Sequence, residues 1–132
     1  MRDGFVSGEQ IELRAGDQRA VVVEVGAGLR SYAVGDRELL DGYGADEMAS
    51  AGRGQVLMPW PNQIEDGSYE FGGTWYHLPL SEPGARNAIH GLVRWAAWSV
   101  AERAPERVVM EHTLQPQPGY PFRLALRMEY AL

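Results

Sequence analysis

The sequence predicts an all-β fold, and three features of the chain lead to that prediction. Apolar and polar residues alternate in several segments, which is the pattern of a strand with one buried face. Turn residues, chiefly glycine beside aspartate or glutamine, separate these segments at intervals of roughly ten residues. No segment of the 132 residues has the apolar period of an amphipathic helix. We therefore expect an antiparallel meander or sandwich that forms one domain over residues 1–132.

The first third of the chain contains four predicted strands. Residues 9–15 alternate, with Ile11 and Leu13 on one face and charged residues on the other. The next segment is β-branched and almost continuously apolar, so it is expected to be more central in the sheet. The last three of these strands are predicted at residues 20–25, 29–34 and 38–43.

The remainder of the chain is predicted to form a polar loop and further strands. The loop spans residues 44–54, and the two aromatic runs around Gly72-Gly73 have the form of a β-hairpin. The final segment alternates as far as Leu132, from which we expect a truncated chain. The strands predicted after the loop are residues 55–60, 68–71, 74–78, 95–101, 107–114 and 122–132.

The composition narrows the classes of protein to which the chain could belong. A net charge of −6 argues against a protein that binds nucleic acid or an anionic membrane. There is no cysteine, so disulfides and thiolate metal sites are excluded. No run of residues approaches the length of about 18 apolar residues that spans a membrane. We expect a cytoplasmic, soluble domain.

Residues 54–98 are the stretch in which function is expected. This stretch contains all four tryptophans and two of the three histidines, together with many turn residues. Packing of aromatic side chains explains part of this composition, but it does not explain the polar residues that recur among the loops. Loops held by a rigid scaffold are where binding residues are commonly found. The polar residues are Asn62, Gln63, Asn87 and His90.

His90 is the candidate catalytic residue. Its neighbour Gly91 allows a turn and the close approach of a ligand. A neutral imidazole there could donate a hydrogen bond or a proton to a ligand, whereas the alternative is a histidine at the edge of the core, bonded to a backbone carbonyl. His77 and His112 are expected to be structural. The spacing of the three histidines matches no metal-binding motif, so no metal site is expected.

Asn62 and Gln63 follow Pro61 and are candidate ligand contacts. Side-chain amides offer both donors and acceptors, which suits an array of sugar hydroxyls. The alternative for Asn62 is a turn in which its side chain bonds its own backbone. Most of the tryptophans are expected in the core, with one or two lining a site. The glycine-rich segments match no phosphate-binding loop, and no cofactor is expected.

Four elements of the sequence together resemble the aldose 1-epimerase, or galactose mutarotase, family. They are PWPNQI at residues 59–64, DGSY with FGG at residues 66–73, NAIHG at residues 87–91 and GYPF at residues 119–122. The family has similar elements in the same order and at similar separations. The resemblance covers essentially residues 5–132. It implies a galactose mutarotase-like β-supersandwich of which this chain is an N-terminal portion.

The resemblance also implies an activity and roles for individual residues. Such enzymes interconvert the α- and β-anomers of a free aldohexose, such as galactose or glucose, without a cofactor. His90 matches a histidine that contacts the sugar near its ring oxygen, and Asn62, Asn87 and Trp95 are expected to contact the substrate with it. Gln63 stands where the family has a sugar-binding arginine. A glutamine still forms hydrogen bonds, but it lacks the charge and the five donors of a guanidinium.

Family members are more than twice as long as this chain. Their second histidine and their glutamate base lie beyond the position that matches Leu132, so an incomplete site is expected here. A sugar-binding module or pseudoenzyme without catalysis is the alternative. A third interpretation is a structural β domain that self-associates through a strand edge left unpaired after Leu132. The expected partner is a sugar, with neither nucleic acid nor membrane.

Overall fold

The computed structural model describes residues 4–132, in which the regular elements are strands and one short 3-10 helix. The helix spans Pro83–Ala85. Within the described residues, no helix is long and apolar enough to cross a membrane. In chain order the strands are β1 (Gln10–Ala15), β2 (Gln18–Val23), β3 (Leu29–Val34), β4 (Arg37–Glu38), β5 (Gln63–Glu65), β6 (Ser68–Phe71), β7 (Thr74–His77), β8 (Asn87–Ile89), β9 (Ser99–Ala104), β10 (Arg107–Leu114) and β11 (Leu124–Ala131).

Two antiparallel sheets form the body of the fold. The first has the order β1-β2-β3-β4, and the second has the order β11-β10-β9, with β10 in the centre. Neighbouring strands of each sheet are consecutive in the chain, because short turns of the kind predicted at Gly16 and Gly35 connect them. The all-β fold predicted from the sequence is therefore confirmed.

The hydrophobic core lies between these two sheets. Ile11 and Leu13 of β1 and Val22 of β2 face Val108 and Met110 of β10, and all five side chains are fully buried. Burial of one such side chain stabilises a fold by about 1.5–3 kcal/mol. The alternation predicted in the final segment is also present in β11, whose Leu, Met and Tyr side chains pack against this core.

The structure differs from the predicted strands in several segments, and residues 95–98, predicted as the start of a strand, precede β9. Residues 38–43 form a strand only as far as Glu38, after which Gly42 lies against the backbone of β3 at Arg30. Residues 55–60 are not a strand, because their backbone groups bond to loops, as in the bond from Val56 N to Gly26 O of 3.1 Å. Conversely, residues 63–65 and 87–89 were not predicted as strands, and they form β5 and β8, which pair with each other.

An aromatic cluster joins the β6–β7 hairpin to the segment that precedes β11. Tyr69 stacks on Tyr76 across the hairpin with ring centroids 5.3 Å apart, and Phe122 meets the edge of Tyr76 at 5.4 Å. The Tyr69 hydroxyl donates to the carbonyl of Gly119 at 2.6 Å. The hairpin predicted around Gly72-Gly73 is therefore present, and its aromatic face is packed against the last third of the chain.

Tyr130 connects the two sheets through a single polar contact. Its hydroxyl, on β11, donates to the carbonyl oxygen of Ala27 at 2.8 Å, in the turn between β2 and β3. Burial, with a smaller contribution from the neighbouring Tyr43 hydroxyl, raises the pKa of Tyr130 to about 12. The phenol therefore stays protonated in the folded protein at pH values where it ionises in the unfolded chain.

Tyr130→Phe tests this connection. At pH 7 the substitution is expected to lower the free energy of unfolding by about 1 kcal/mol, because the Ala27 carbonyl loses its donor. Between pH 10 and 12 the unfolded chain binds fewer protons than the folded one, so wild-type stability falls as the pH rises. That fall should be less steep in Tyr130→Phe. Urea unfolding at several pH values measures both effects, and equal slopes for the two proteins would contradict the assignment.

Candidate functional site

The short β5–β8 pair brings together two motifs that are far apart in the chain. Gln63 of β5 is opposite Ile89 of β8, and the strands are antiparallel. The residue before β5 and the residue after β8 therefore lie side by side at one end of the pair. These residues are Asn62 and His90, 28 positions apart. Asn62 thus lies at the beginning of a strand, whereas the sequence pattern had placed it at the end of one.

Asn62 and His90 hold each other through two hydrogen bonds. The His90 backbone N–H donates to the Asn62 carbonyl at 2.9 Å, and the Asn62 backbone N–H donates to Nδ1 of His90 at 3.0 Å. Because a backbone N–H is only a donor, Nδ1 is the acceptor and the ring proton is on Nε2. His90 therefore presents an N–H at Nε2. It is not the carbonyl-bonded histidine of the alternative interpretation.

The backbone at both residues has a left-handed conformation. The φ angle is 65° at Asn62 and 63° at His90. Asparagine and histidine adopt this region more readily than most residues, but each does so at a cost on the order of 1 kcal/mol. The side chain of Asn62 is exposed and forms no hydrogen bond within residues 4–132, so the predicted alternative of a side-chain turn is absent. The two mutual bonds hold the strained geometry.

Gly91 fixes the position of His90 against the neighbouring loop. The N–H of Leu92 donates to the Met58 carbonyl at 2.8 Å, which draws the backbone of residues 91–92 against Met58. A Cβ atom on Gly91 would lie 2.0 Å from that carbonyl oxygen, and the φ angle of the residue is 72°. Position 91 therefore requires glycine for two separate reasons, its conformation and the lack of space.

Gln63 and Asn87 converge on a carboxylate. The Gln63 side-chain amide donates to Oε1 of Glu82 at 2.9 Å, and the Asn87 amide donates to the same oxygen at 3.1 Å. Glu82 and Asn87 also exchange two backbone hydrogen bonds across the 3-10 helix. The sequence alone did not indicate a role for Glu82. We refer to Gln63, Glu82 and Asn87 as the amide–carboxylate cluster.

The tryptophans are divided between core and surface. Trp98 is buried in the core, Trp60 packs near Tyr120 with ring centroids 6.3 Å apart, and Trp75 is 62% exposed on the hairpin. Trp95 is 50% exposed and lines a cavity of about 330 Å³ with Gln55 among other residues. None of the other predicted site residues lines that cavity. The structure thus brings Asn62 to His90 and Gln63 to Asn87, and places Trp95 at a separate cavity.

The other two histidines make local contacts. His77 Nδ1 and the Ser68 hydroxyl are 2.8 Å apart across the β6–β7 hairpin. The ring of His112 packs at 5.5 Å from that of Trp98. In the part of the chain from Gly4 onward, no three or more histidine, aspartate or glutamate side chains are grouped so that they could hold a metal ion.

Solved structures with the same fold define the class of this protein. The GalM/aldose epimerase homologue of C. elegans superimposes with a TM-score of 0.82 at 19% identity, over 94% of this chain and 42% of that one. Galactose 1-epimerase from Lactobacillus acidophilus gives a TM-score of 0.72 at 21% identity, over 92% and 39% respectively. The chain therefore has a galactose mutarotase-like fold, as the sequence predicts.

Sequence comparison gives the family. The model of the aldose 1-epimerase family matches residues 9–132, so this chain belongs to the aldose 1-epimerase family. The uncharacterized protein YihR of Escherichia coli (strain K12) is 40% identical over 126 residues, which are 96% of this chain and 41% of that protein. The chain spans about two-fifths of the length of the relatives it matches.

The tautomer of His90 can be measured directly. We expect the Nε2–H form, with Nδ1 unprotonated, because Nδ1 accepts from the Asn62 backbone. Long-range proton–nitrogen NMR spectra of the imidazole at neutral pH distinguish the two nitrogens. His77 is an internal comparison, since its Nδ1 faces a hydroxyl that can donate or accept. A proton on Nδ1 of His90 would contradict the geometry described here.

Gly91→Ala tests the close contact with Met58. Gly72 is the matched control, because its φ angle of 58° is also positive but no atom lies within 4 Å of a Cβ built on it. Gly72→Ala should cost about 1–2 kcal/mol of unfolding free energy, from left-handed conformation alone. Gly91→Ala should cost more and shift the backbone NMR signals around His90. Equal costs for the two substitutions would show that the contact does not constrain position 91.

Proposed function

We propose that this chain forms one side of the sugar site of an aldose 1-epimerase, and that His90 contacts a free aldohexose such as galactose or glucose. The observation that supports the proposal most strongly is the hydrogen bond at Nδ1 of His90. Its Nδ1 is occupied by the Asn62 backbone N–H, so Nε2–H is the group available to a ligand. A fixed N–H donor is suited to an oxygen of the sugar, and the family supplies the expectation that this is near the ring oxygen.

The reaction proposed for the whole protein transfers protons and leaves the composition of the sugar unchanged. A base removes the proton of the anomeric hydroxyl, the bond from C1 to the ring oxygen breaks, and the ring oxygen gains a proton. Rotation about the C1–C2 bond and closure give the other anomer. Negative charge develops on the ring oxygen as the bond breaks, and a positioned donor stabilises that charge. His90 has the chemistry for this role. No electron is transferred overall, so the reaction requires no redox cofactor.

The other predicted sugar contacts remain part of the proposal, and the observations that support them differ from one residue to the next. Asn62 positions His90 through its backbone and leaves its own amide exposed for a ligand. Gln63 and Asn87 each donate one amide N–H to Glu82. A bound sugar would therefore contact the amide–carboxylate cluster as three linked side chains. Trp95 remains a prediction from the sequence. A cytoplasmic location and self-association through the outer edge of β11 are likewise predictions.

A second candidate function is sugar binding without catalysis. The observation that favours it is the state of position 63, where glutamine replaces the arginine expected from the family and is bonded to Glu82 at 2.9 Å. Without a charged donor at that position, ligand binding could persist while the rate of ring opening falls. Both candidate functions predict sugar binding, but only the first predicts that mutarotation is accelerated.

His90→Asn tests the proposal. Asparagine tolerates the left-handed backbone at position 90 and removes the imidazole. The wild-type chain is expected to bind galactose or glucose weakly, with NMR shifts at His90, and the variant should raise the Kd by about fivefold or more. His112→Asn, which alters a histidine packed on Trp98, is the control for loss of an imidazole. No sugar-dependent shift at His90 would contradict the proposal.

Polarimetry separates the two candidates. If the chain carries part of a catalytic site, a protein that contains it at the length of its relatives should accelerate galactose mutarotation. His90→Asn in that protein should lower the rate by about a hundredfold, the usual contribution of a positioned proton donor. If that protein binds the sugar but does not raise the rate of mutarotation above the uncatalysed rate, it is a binding module.

A further inference from the structure

The side chains of Arg94 and His90 both approach Gly52. A methyl group built on Gly52 would be 3.7 Å from Cδ2 of His90 and 4.0 Å from Nη1 of Arg94, so the two side chains border the same small space. Cδ2 is bonded to Nε2, whereas the Asn62 backbone occupies Nδ1 on the other side of the ring. The guanidinium and the Cδ2 atom of His90 therefore border the same space at Gly52, and Cδ2 belongs to the ring edge away from Asn62.

The guanidinium of Arg94 is available for a ligand. Within residues 4–132 its nitrogens form no ion pair with a carboxylate and no hydrogen bond with another side chain, and the residue is only partly exposed. Six other arginines are paired with carboxylates, Arg53 with Asp41 among them in the loop beside Gly52. An arginine has five N–H donors and no acceptor, so a partly covered arginine requires oxygen atoms as partners.

The turn that carries Arg94 is held firmly on both sides. Val93 is fully buried before it, and the N–H of Ala96 donates to the Val93 carbonyl at 3.2 Å to close the turn. The carbonyl of Arg94 itself accepts from the side-chain amide of Gln55 at 2.8 Å. Gly26 donates to the Ala96 carbonyl at 2.8 Å. The backbone at Arg94 is thus positioned before any ligand arrives, which favours tight and specific contacts.

We propose that Arg94 is a sugar-binding residue and supplies the guanidinium that position 63 lacks. Gln63 has no charge and donates its amide to Glu82, while Arg94 has an unpaired cation that borders the same space at Gly52 as the His90 ring. Two adjacent donors suit two neighbouring oxygens of one sugar, the oxygen bound by His90 and a hydroxyl beside it. This inference rests on the proposed sugar site, and it moves the charged contact from β5 to the turn after His90.

NMR titration of the nitrogen-15-labelled chain with galactose and with glucose tests the inference. The side-chain N–H signal of Arg94 and the ring signals of His90 should shift together with one Kd. Arg94→Gln should raise that Kd about tenfold or more, since hydrogen bonds from charged groups are the stronger ones. Arg94→Lys should give an intermediate value. Arg103→Gln, which removes an exposed arginine paired with Glu9, is the matched control for charge.

The outcomes separate this inference from the proposed function. If sugar shifts His90 while the Arg94 signal is unmoved and Arg94→Gln binds as wild type, the role of Arg94 is overturned and the sugar site stands. If sugar shifts neither residue, the sugar site itself is overturned. The wild-type Arg94 signal is read without any substitution, so a variant that fails to fold does not obscure the result.

Discussion

The two hydrogen bonds between Asn62 and His90 join the backbone at the end of the β5–β8 pair to the ring of the candidate catalytic histidine. Both residues have positive φ angles, a geometry that isolated residues of these types adopt only at a cost. The surrounding structure supports it: β5 and β8 set the register, and Gly91 allows the chain to pass against Met58. Because of these supports, the Nε2–H of His90 has a fixed direction before a ligand binds. The roles proposed for the amide–carboxylate cluster and for Arg94 depend on that donor.

Strands that pair with their neighbours in the chain could be predicted from the sequence, because both the alternation and the turn are local signals. The bounds of β3 agree with the prediction, and β11 has the predicted inward and outward faces. The strand predicted at residues 55–60 was wrong. An apolar run beside prolines has the composition of a strand, but the backbone of this run bonds to distant loops instead of to a neighbouring strand. The strand β8 was missed for the opposite reason: three residues around Ala88 have too little pattern to indicate a strand, and only pairing with β5 makes them one.

The sequence indicated candidate residues for the site, but it did not indicate how they are arranged. The motif around His90 and the amide at Asn62 could be recognised, but nothing in the sequence indicated that the Asn62 backbone determines which ring nitrogen carries the proton. Arg94 is one of twelve arginines in a chain without lysine, so its identity carries no local signal. Its distinction is positional, since it borders the same space at Gly52 as His90 and has no carboxylate partner in the described residues. These features of Arg94 exist only in the folded protein, where segments distant in the sequence pack together.

The bond from Tyr130 to Ala27 spans 103 positions of the chain, and the inner face of β1 and β2 is covered by β10 over a similar distance. A ribosome adds about 5–20 residues per second, so the emerging β1–β2 hairpin waits on the order of 5–20 seconds for the strands that cover it. During synthesis its apolar side chains, Ile11 and Leu13 among them, face water or whatever binds them there. The apolar face of β1 and β2 therefore stays uncovered until β10 has been synthesised.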